Sequence, residues 1–287
     1  ESGTYGTSEA EVASIFREDF LRITKDWSKK RILLYAHGGL TSEYSAIQRV
    51  ADYRTALLES EVYPLAFIWK SDFWTTLTNL LKDAVSRRRP EGFIDASKDF
   101  MLDRLDDALE PVTRMLGGNL IWGEMKENAL GATGESQGGA RIAIKYLAEL
   151  LSKDPSVELH VAGHSAGAIF HAPLIQLLTE QGKITSGPLK GKKGYGLKVS
   201  SCTLWAPACT IELFKQTYMP AIQNGGIGRF ALFTLTDNAE QDDHCASIYH
   251  KSLLYLVSNA FEEKPRIPLF REGEAILGME KFIRDDQ

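Results

Sequence analysis

The pentapeptide Gly163-His164-Ser165-Ala166-Gly167 and its flanks constrain this chain more than any other feature. Val157–Ala162 before it reads as a strand, and Ala166–Glu180 after it reads as an apolar helix that Pro173 is expected to kink or break. A serine between a strand and a helix can occupy a sharp turn with its hydroxyl aimed out at the strand's C-terminal end. Glycines two residues away on each side let the backbone pass itself closely in such a turn. The following helix start adds backbone N–H donors and a positive dipole end. The same spelling occurs at Gly134-Glu135-Ser136-Gln137-Gly138, but Asn128–Thr133 before it is not strand-like. Ser136 is therefore expected to cap the helix that begins there, and Ser165 to be the nucleophile.

The surrounding pattern alternates strand and helix. Ser8–Lys29 carries Val12, Ile15, Phe16, Phe20, Ile23 and Trp27 at helical spacing behind a Ser8 cap. Arg31–His37 is a near-continuous apolar run of the kind found in strands buried on both faces of a parallel sheet. Ser42–Glu61 reads as a helix, Tyr63–Trp69 as a strand, Ser136–Lys153 as a helix, and Val199–Trp205 and Arg229–Leu235 as further strands. Gln181–Leu197 is rich in Gly and Lys and is expected to be a mobile loop. Ser247–Glu262 is expected to be helical and Ala275–Ile283 a last short strand. Residues 71–134 interrupt the alternation with helical segments near Phe73–Val85 and Ser97–Leu116. These expectations describe one α/β domain over 1–287: a doubly wound, mostly parallel sheet, an N-terminal helical segment over 1–30 and a helical, cap-like insertion over 71–134.

Composition narrows the function. The chain has 287 residues, 44% of them hydrophobic and 25% charged, enough for a substantial core. A formal net charge of -5 argues against a nucleic-acid partner, which calls for a basic face. No apolar run reaches the roughly 18–20 residues that span a bilayer, so no transmembrane segment is expected. Cys202, Cys209 and Cys245 form neither a disulfide framework nor a zinc motif, which suggests a reducing, cytoplasmic setting. No HExxH or Cys/His cluster is present, so neither a metal nor a cofactor is expected.

His37-Gly38-Gly39-Leu40 closes the first strong strand, and its glycines permit close backbone approach to a ligand. With GHSAG following in this order, the chain resembles the α/β-hydrolase superfamily of esterases and lipases, over about residues 31–70 and 135–240. The resemblance implies Ser165 as nucleophile. It implies an oxyanion hole from the N–H of Ala166 and that of Gly39 or Leu40, with His37 and Gly38 supporting the loop. It also implies an acid and then a base after the serine. Asp237, at the end of the strand from Arg229, is the expected acid; its alternative is a turn cap. His244 is the expected base, with His250 assigned to a helix surface. The family's base normally follows the last strand, where Arg284–Gln287 offers no histidine. Three explanations stand: His244 substitutes, the base lies past Gln287, or the site is degenerate. His160 and His171 are expected to pack, and His164 to sit beside the nucleophile. The superfamily's first two strands are not expected, because residues 1–30 read as helix.

The expected function is hydrolysis of a carboxylic ester or lipid through an acyl-enzyme on Ser165. Trp69, Phe73 and Trp74 are candidates for an acyl pocket or for cementing the insertion. Arg87–Arg89 and the Lys183–Lys198 loop could meet an anionic group or a protein partner, but charge runs are commonly solvated faces. Two further classes stay open: a catalytically silent interaction module of the same fold, and a hydrolase domain of a larger protein whose base lies outside this chain.

Overall fold

The computed structural model describes residues 6–69, 73–87 and 98–285. Its centre is a five-stranded parallel sheet flanked by helices, a mixed α/β fold consistent with the doubly wound class. The strands are β1 (Arg31–Ala36), β2 (Val62–Phe67), β3 (Glu158–His164), β4 (Gln181–Lys183), β5 (Lys193–Tyr195), β6 (Ser201–Trp205) and β7 (Phe230–Phe233). The sheet order is β2-β1-β3-β6-β7, and every neighbouring pair is parallel. Ala36 lies opposite Gly163, so the His37–Leu40 loop and the Ser165 turn leave the sheet side by side.

Local chemistry explains the well-anticipated elements. Ser8 accepts from the Glu11 N–H while the Glu11 carboxylate takes the Ser8 N–H, a capping box that starts the first helix at Glu9. That helix continues through a π-turn at Ile15–Asp19 to Phe20–Ile23 and buries Phe16 and Phe20. Ser42 caps Glu43–Glu59 by accepting the Ser45 N–H. In β1 only Ile32, Leu34 and Ala36 are buried, whereas Arg31, Leu33 and Tyr35 are partly exposed. One face of that strand is sealed and the other only partly covered. The helix Gly167–Thr179 runs unbroken through Pro173, with every residue from Gly167 to Leu178 buried, so packing holds it across the missing hydrogen bond.

Several elements differ from the sequence-based expectation. Gln181–Leu197 contains a hairpin of β4 and β5, with Gly182, Gly187, Gly191 and Gly196 in left-handed conformations. Ser247–Glu262 begins as a tight turn with Ala246 and Ser247 at φ 55° and 56°. Its helix starts only at Leu253, behind a Ser252 cap, and ends in a π-turn at Val257–Phe261. Ala275–Ile283 forms isolated bridges, Ile276 to Thr210 and Met279 to Leu235, and then a helix at Glu280–Asp285. Two unanticipated helices are Gly118–Gly134 and Ile211–Gln223.

The insertion holds helices at Phe73–Arg87, Lys98–Met115 and Gly118–Gly134. The last packs along Gly167–Thr179 and against Val257–Phe261. A buried carboxylate fastens it: Glu262, 2% exposed, accepts Trp122 Nε1–H at 2.7 Å and Lys126 Nζ at 2.6 Å. Lys126→Met would leave that carboxylate without its counter-charge. We expect a loss of about 3 kcal/mol in stability, read from the denaturant midpoint; an unchanged midpoint would show that the pair does not hold the insertion.

Candidate active site

Ser165 sits in the turn between β3 and the helix Gly167–Thr179 with φ 51°, a left-handed value that a residue with a Cβ adopts only under constraint. Its backbone is held on both sides. The Ser165 N–H donates to the Trp205 carbonyl at 2.9 Å, and the Ser165 carbonyl accepts from Ala208 at 3.0 Å and Ala168 at 3.1 Å. Of the flanking glycines, Gly167 is a steric necessity and Gly163 is tightly packed. A Cβ at Gly167 would lie 2.2 Å from the Ala36 carbonyl oxygen. One at Gly163 would lie 3.2 Å from the Gly167 backbone and from the His171 and Leu204 side chains. Ser165 is partly exposed, and its hydroxyl has no hydrogen-bond partner among the described residues. Ser136 instead lies exposed in a turn between two helices, without a left-handed φ; the cap of the next helix is Gly138.

The His37–Leu40 loop meets this turn directly. A Cβ at Gly38 would lie 2.9 Å from His164 Nδ1 and 3.2 Å from Ser165 Cβ. One at Gly39 would lie 2.8 Å from Met125 Sδ and 3.4 Å from Ala166 Cβ. The backbone N–H groups of Gly39, Leu40 and Ala166 have no acceptor among the described residues, although Gly39 and Ala166 are buried. Buried N–H groups are nearly always paired, so unpaired donors beside a serine turn are a chemical feature. They lie next to the start of a 13-residue helix, whose dipole favours negative charge there.

His37 braces that loop and is almost wholly buried. Its Nε2 accepts the Trp69 N–H at 3.4 Å, so Nδ1–H donates to the Gly38 carbonyl at 2.9 Å. Trp69 Nε1–H returns to the His37 carbonyl at 3.2 Å, and the two rings stack. Burial, reinforced by the charge of Arg49, pushes the His37 pKa down and keeps the ring neutral, as this pattern requires. Trp69 is thus a clamp on the loop; the side chains of Phe73 and Trp74 lie outside the described residues, as do Arg88 and Arg89. His160, part-buried on β3, bonds Ser201 Oγ through Nδ1 at 2.7 Å. His171 lies beneath the turn, wholly buried, with Nε2–H on the Ala162 carbonyl at 3.0 Å.

The downstream candidates Asp237, His244 and His250 lie in the segment after β7. Asp237 begins a short helix capped by Thr236. Its carboxylate accepts Tyr255 OH at 2.7 Å and Gln241 Nε2 at 2.6 Å, and its N–H donates to Glu280 at 2.8 Å. His244 is exposed, with Nδ1 3.2 Å from the Asp242 carbonyl oxygen. Among the described residues no hydrogen bond joins Asp237, His244 and Ser165 to one another. His250 lies in the turn before the helix, not on a helix surface. Its Nδ1 is 3.2 Å from Asp106 Oδ1, its N–H also donates to Asp106, and its ring meets that of His244 edge to face at 5.5 Å. Asp106 comes from the insertion, and no local sequence pattern announces it.

The three cysteines are free and buried, and burial pushes the Cys209 thiol, just beyond Ala208, up to about 12. Among the described residues no three His, Cys, Asp or Glu side chains are grouped to hold a metal ion. A cleft of about 490 Å³, lined in part by Lys126, Leu130, Ile169, Leu213 and Phe261, does not include Ser165. Comparison with protein-family models, with curated proteins and with solved structures gave no match.

Burial lowers the His171 pKa from 6.5 to about 4. The unfolded chain then binds this proton first as pH falls. The stability His171 contributes is complete above 6.5 and drains as pH falls through the window to about 4, by about 3 kcal/mol. Denaturant midpoints measured across that window should fall less steeply in His171→Leu than in the natural protein. Parallel slopes would show that this ring is not the proton acceptor.

Proposed function

We propose that the chain is a serine hydrolase of carboxylic esters or lipids, working through an acyl-enzyme on Ser165 with no cofactor. One observation carries the reading: Ser165 is held at a left-handed φ, between a tightly packed Gly163 and a sterically required Gly167, beside the unpaired N–H groups of Gly39, Leu40 and Ala166. Ser165 Oγ adds to the ester carbonyl, and the oxyanion that develops takes hydrogen bonds from Ala166 and from Gly39 or Leu40. His37 and Gly38 keep the loop in place. The strand order, with Ser165 after the central strand and Asp237 after β7, supports an α/β-hydrolase type of sheet. On this reading the insertion covers the loop end of the sheet as a cap, and chain order offers Asp237 and His244 as acid and base. Three free cysteines favour a cytoplasmic setting.

A catalytically silent member of the same fold is the second reading. It is favoured by the lack of a hydrogen bond between Asp237 and His244. A fluorophosphonate probe separates the two, because it phosphonylates only an activated serine. Stoichiometric labelling, mapped to the Ser165 peptide, is expected; Ser165→Ala should abolish it and Ser136→Ala should not. A folded protein that takes no label contradicts the hydrolase reading and supports the silent one.

A further inference from the structure

The insertion meets the His37–Leu40 loop at Met125. This side chain is buried and belongs to the stripe Trp122, Met125, Ala129 and Thr133 of the helix Gly118–Gly134. A Cβ on Gly39 would stand 2.8 Å from Met125 Sδ and 3.9 Å from its Cε. The same Cβ would stand 3.4 Å from Ala166 Cβ, so Gly39 packs against both the insertion and the residue after Ser165. The helix that carries the sulfur is anchored on each side of it. Trp122 Nε1–H and Lys126 Nζ both bind the buried Glu262 carboxylate, at 2.7 and 2.6 Å.

The remaining constraints on Gly39 come from its own loop. The Gly38 carbonyl accepts His37 Nδ1–H at 2.9 Å and the Thr41 N–H at 3.3 Å. The Gly38–Gly39 peptide is planar and trans, so an anchored carbonyl also sets the opposite direction, that of the Gly39 N–H. Hydrogen bonds to one oxygen still let a peptide rock about that oxygen. Glycine has no side chain with which to fix its own place, so neighbours must do it. Met125 fills the space beside the Gly39 Cα into which a side chain would otherwise pack.

We propose that Met125 is a positioning residue, through which the insertion holds the Gly39 N–H in place for the oxyanion at Ser165; this rests on the serine-hydrolase reading above. Met125 acts through Gly39 and takes no part in making or breaking bonds. A donor aimed at developing charge works only when it is held to within about 0.5 Å of its place. The insertion is then a part of the site as well as a cover: its anchor at Glu262 fixes the helix, the helix fixes the sulfur, and the sulfur fixes the glycine. Because the contact is with a residue that has no side chain, its effect depends on what stands at position 39.

The test is the rate of fluorophosphonate labelling in the natural chain, in Met125→Ala, in Gly39→Ala and in the double variant. Ser165 Oγ bonds to phosphorus as the hydroxyl proton and fluoride are released, and the phosphonyl oxygen takes up charge as it does so. Met125→Ala should label about 10-fold more slowly. Gly39→Ala should also label more slowly, because its methyl meets the sulfur. In Met125→Ala the same methyl fills the vacated space, so the double variant should label faster than Met125→Ala alone. That reversal of sign marks a direct contact, and a general loosening of the core does not produce it. If Met125→Ala fails to fold, Met125→Val takes its place in the cycle. A folded Met125 variant that labels at the natural rate overturns the proposal, and so does Gly39→Ala with the same effect in both backgrounds. Absence of labelling in the natural chain instead removes the serine-hydrolase reading itself.

Discussion

The close approach of Gly167 to the Ala36 carbonyl organises the rest of this structure. No side chain fits between them, since a Cβ would stand 2.2 Å from that oxygen. The helix Gly167–Thr179 can therefore start almost in contact with the end of β1. The chain can enter that helix only through a reversal as sharp as the one at Ser165, φ 51°. A left-handed serine costs on the order of 1–2 kcal/mol, and here the Trp205, Ala168 and Ala208 hydrogen bonds and the buried helix hold it. Strain at one residue is thus held in place by packing over many.

The same approach brings the His37–Leu40 loop against the turn. Glycine at 38 and 39 lets it sit on His164, Ser165, Ala166 and Met125, and the Trp69–His37 clamp fixes it there. Met125 belongs to the insertion, so the insertion touches the loop as well as the 245–262 segment. Buried carboxylates mark that second seam. Burial raises the pKa of Asp106 and Glu110, and the donors around each, His250 for one and Asn259 and Tyr249 for the other, offset part of the penalty.

Much of this was legible in the residues because it is local. The Ser8 cap, the apolar strands and the strand–Gly-x-Ser-x-Gly–helix pattern are written in consecutive residues, and the structure follows them. The helix Gly118–Gly134 was hidden by its four glycines, although Trp122, Met125, Ala129 and Thr133 mark one buried stripe. The helix Ile211–Gln223 likewise buries Ile211, Phe214, Tyr218 and Ala221 at helical spacing behind its Thr210 cap. In the Ala275–Ile283 stretch an apolar run suggested a strand, but its pairing stops after single bridges, and Glu280 turns back to bind the Asp237 N–H. The contact of Asp106 with His250 spans 144 residues of chain, and nothing in either neighbourhood encodes it. The serine turn is a short-range object that spelling can reveal; the pairing of acids with histidines is decided by tertiary packing.

The central claim is that the Ser165 turn and the His37–Leu40 loop together form a site for a developing oxyanion. A crystal structure of the fluorophosphonate adduct tests it most directly. The account predicts a phosphorus bonded to Ser165 Oγ, with the phosphonyl oxygen within hydrogen-bond distance of the Ala166 N–H and of Gly39 or Leu40. An adduct on Ser165 whose phosphonyl oxygen points away from those N–H groups, or an adduct on another residue, would contradict it.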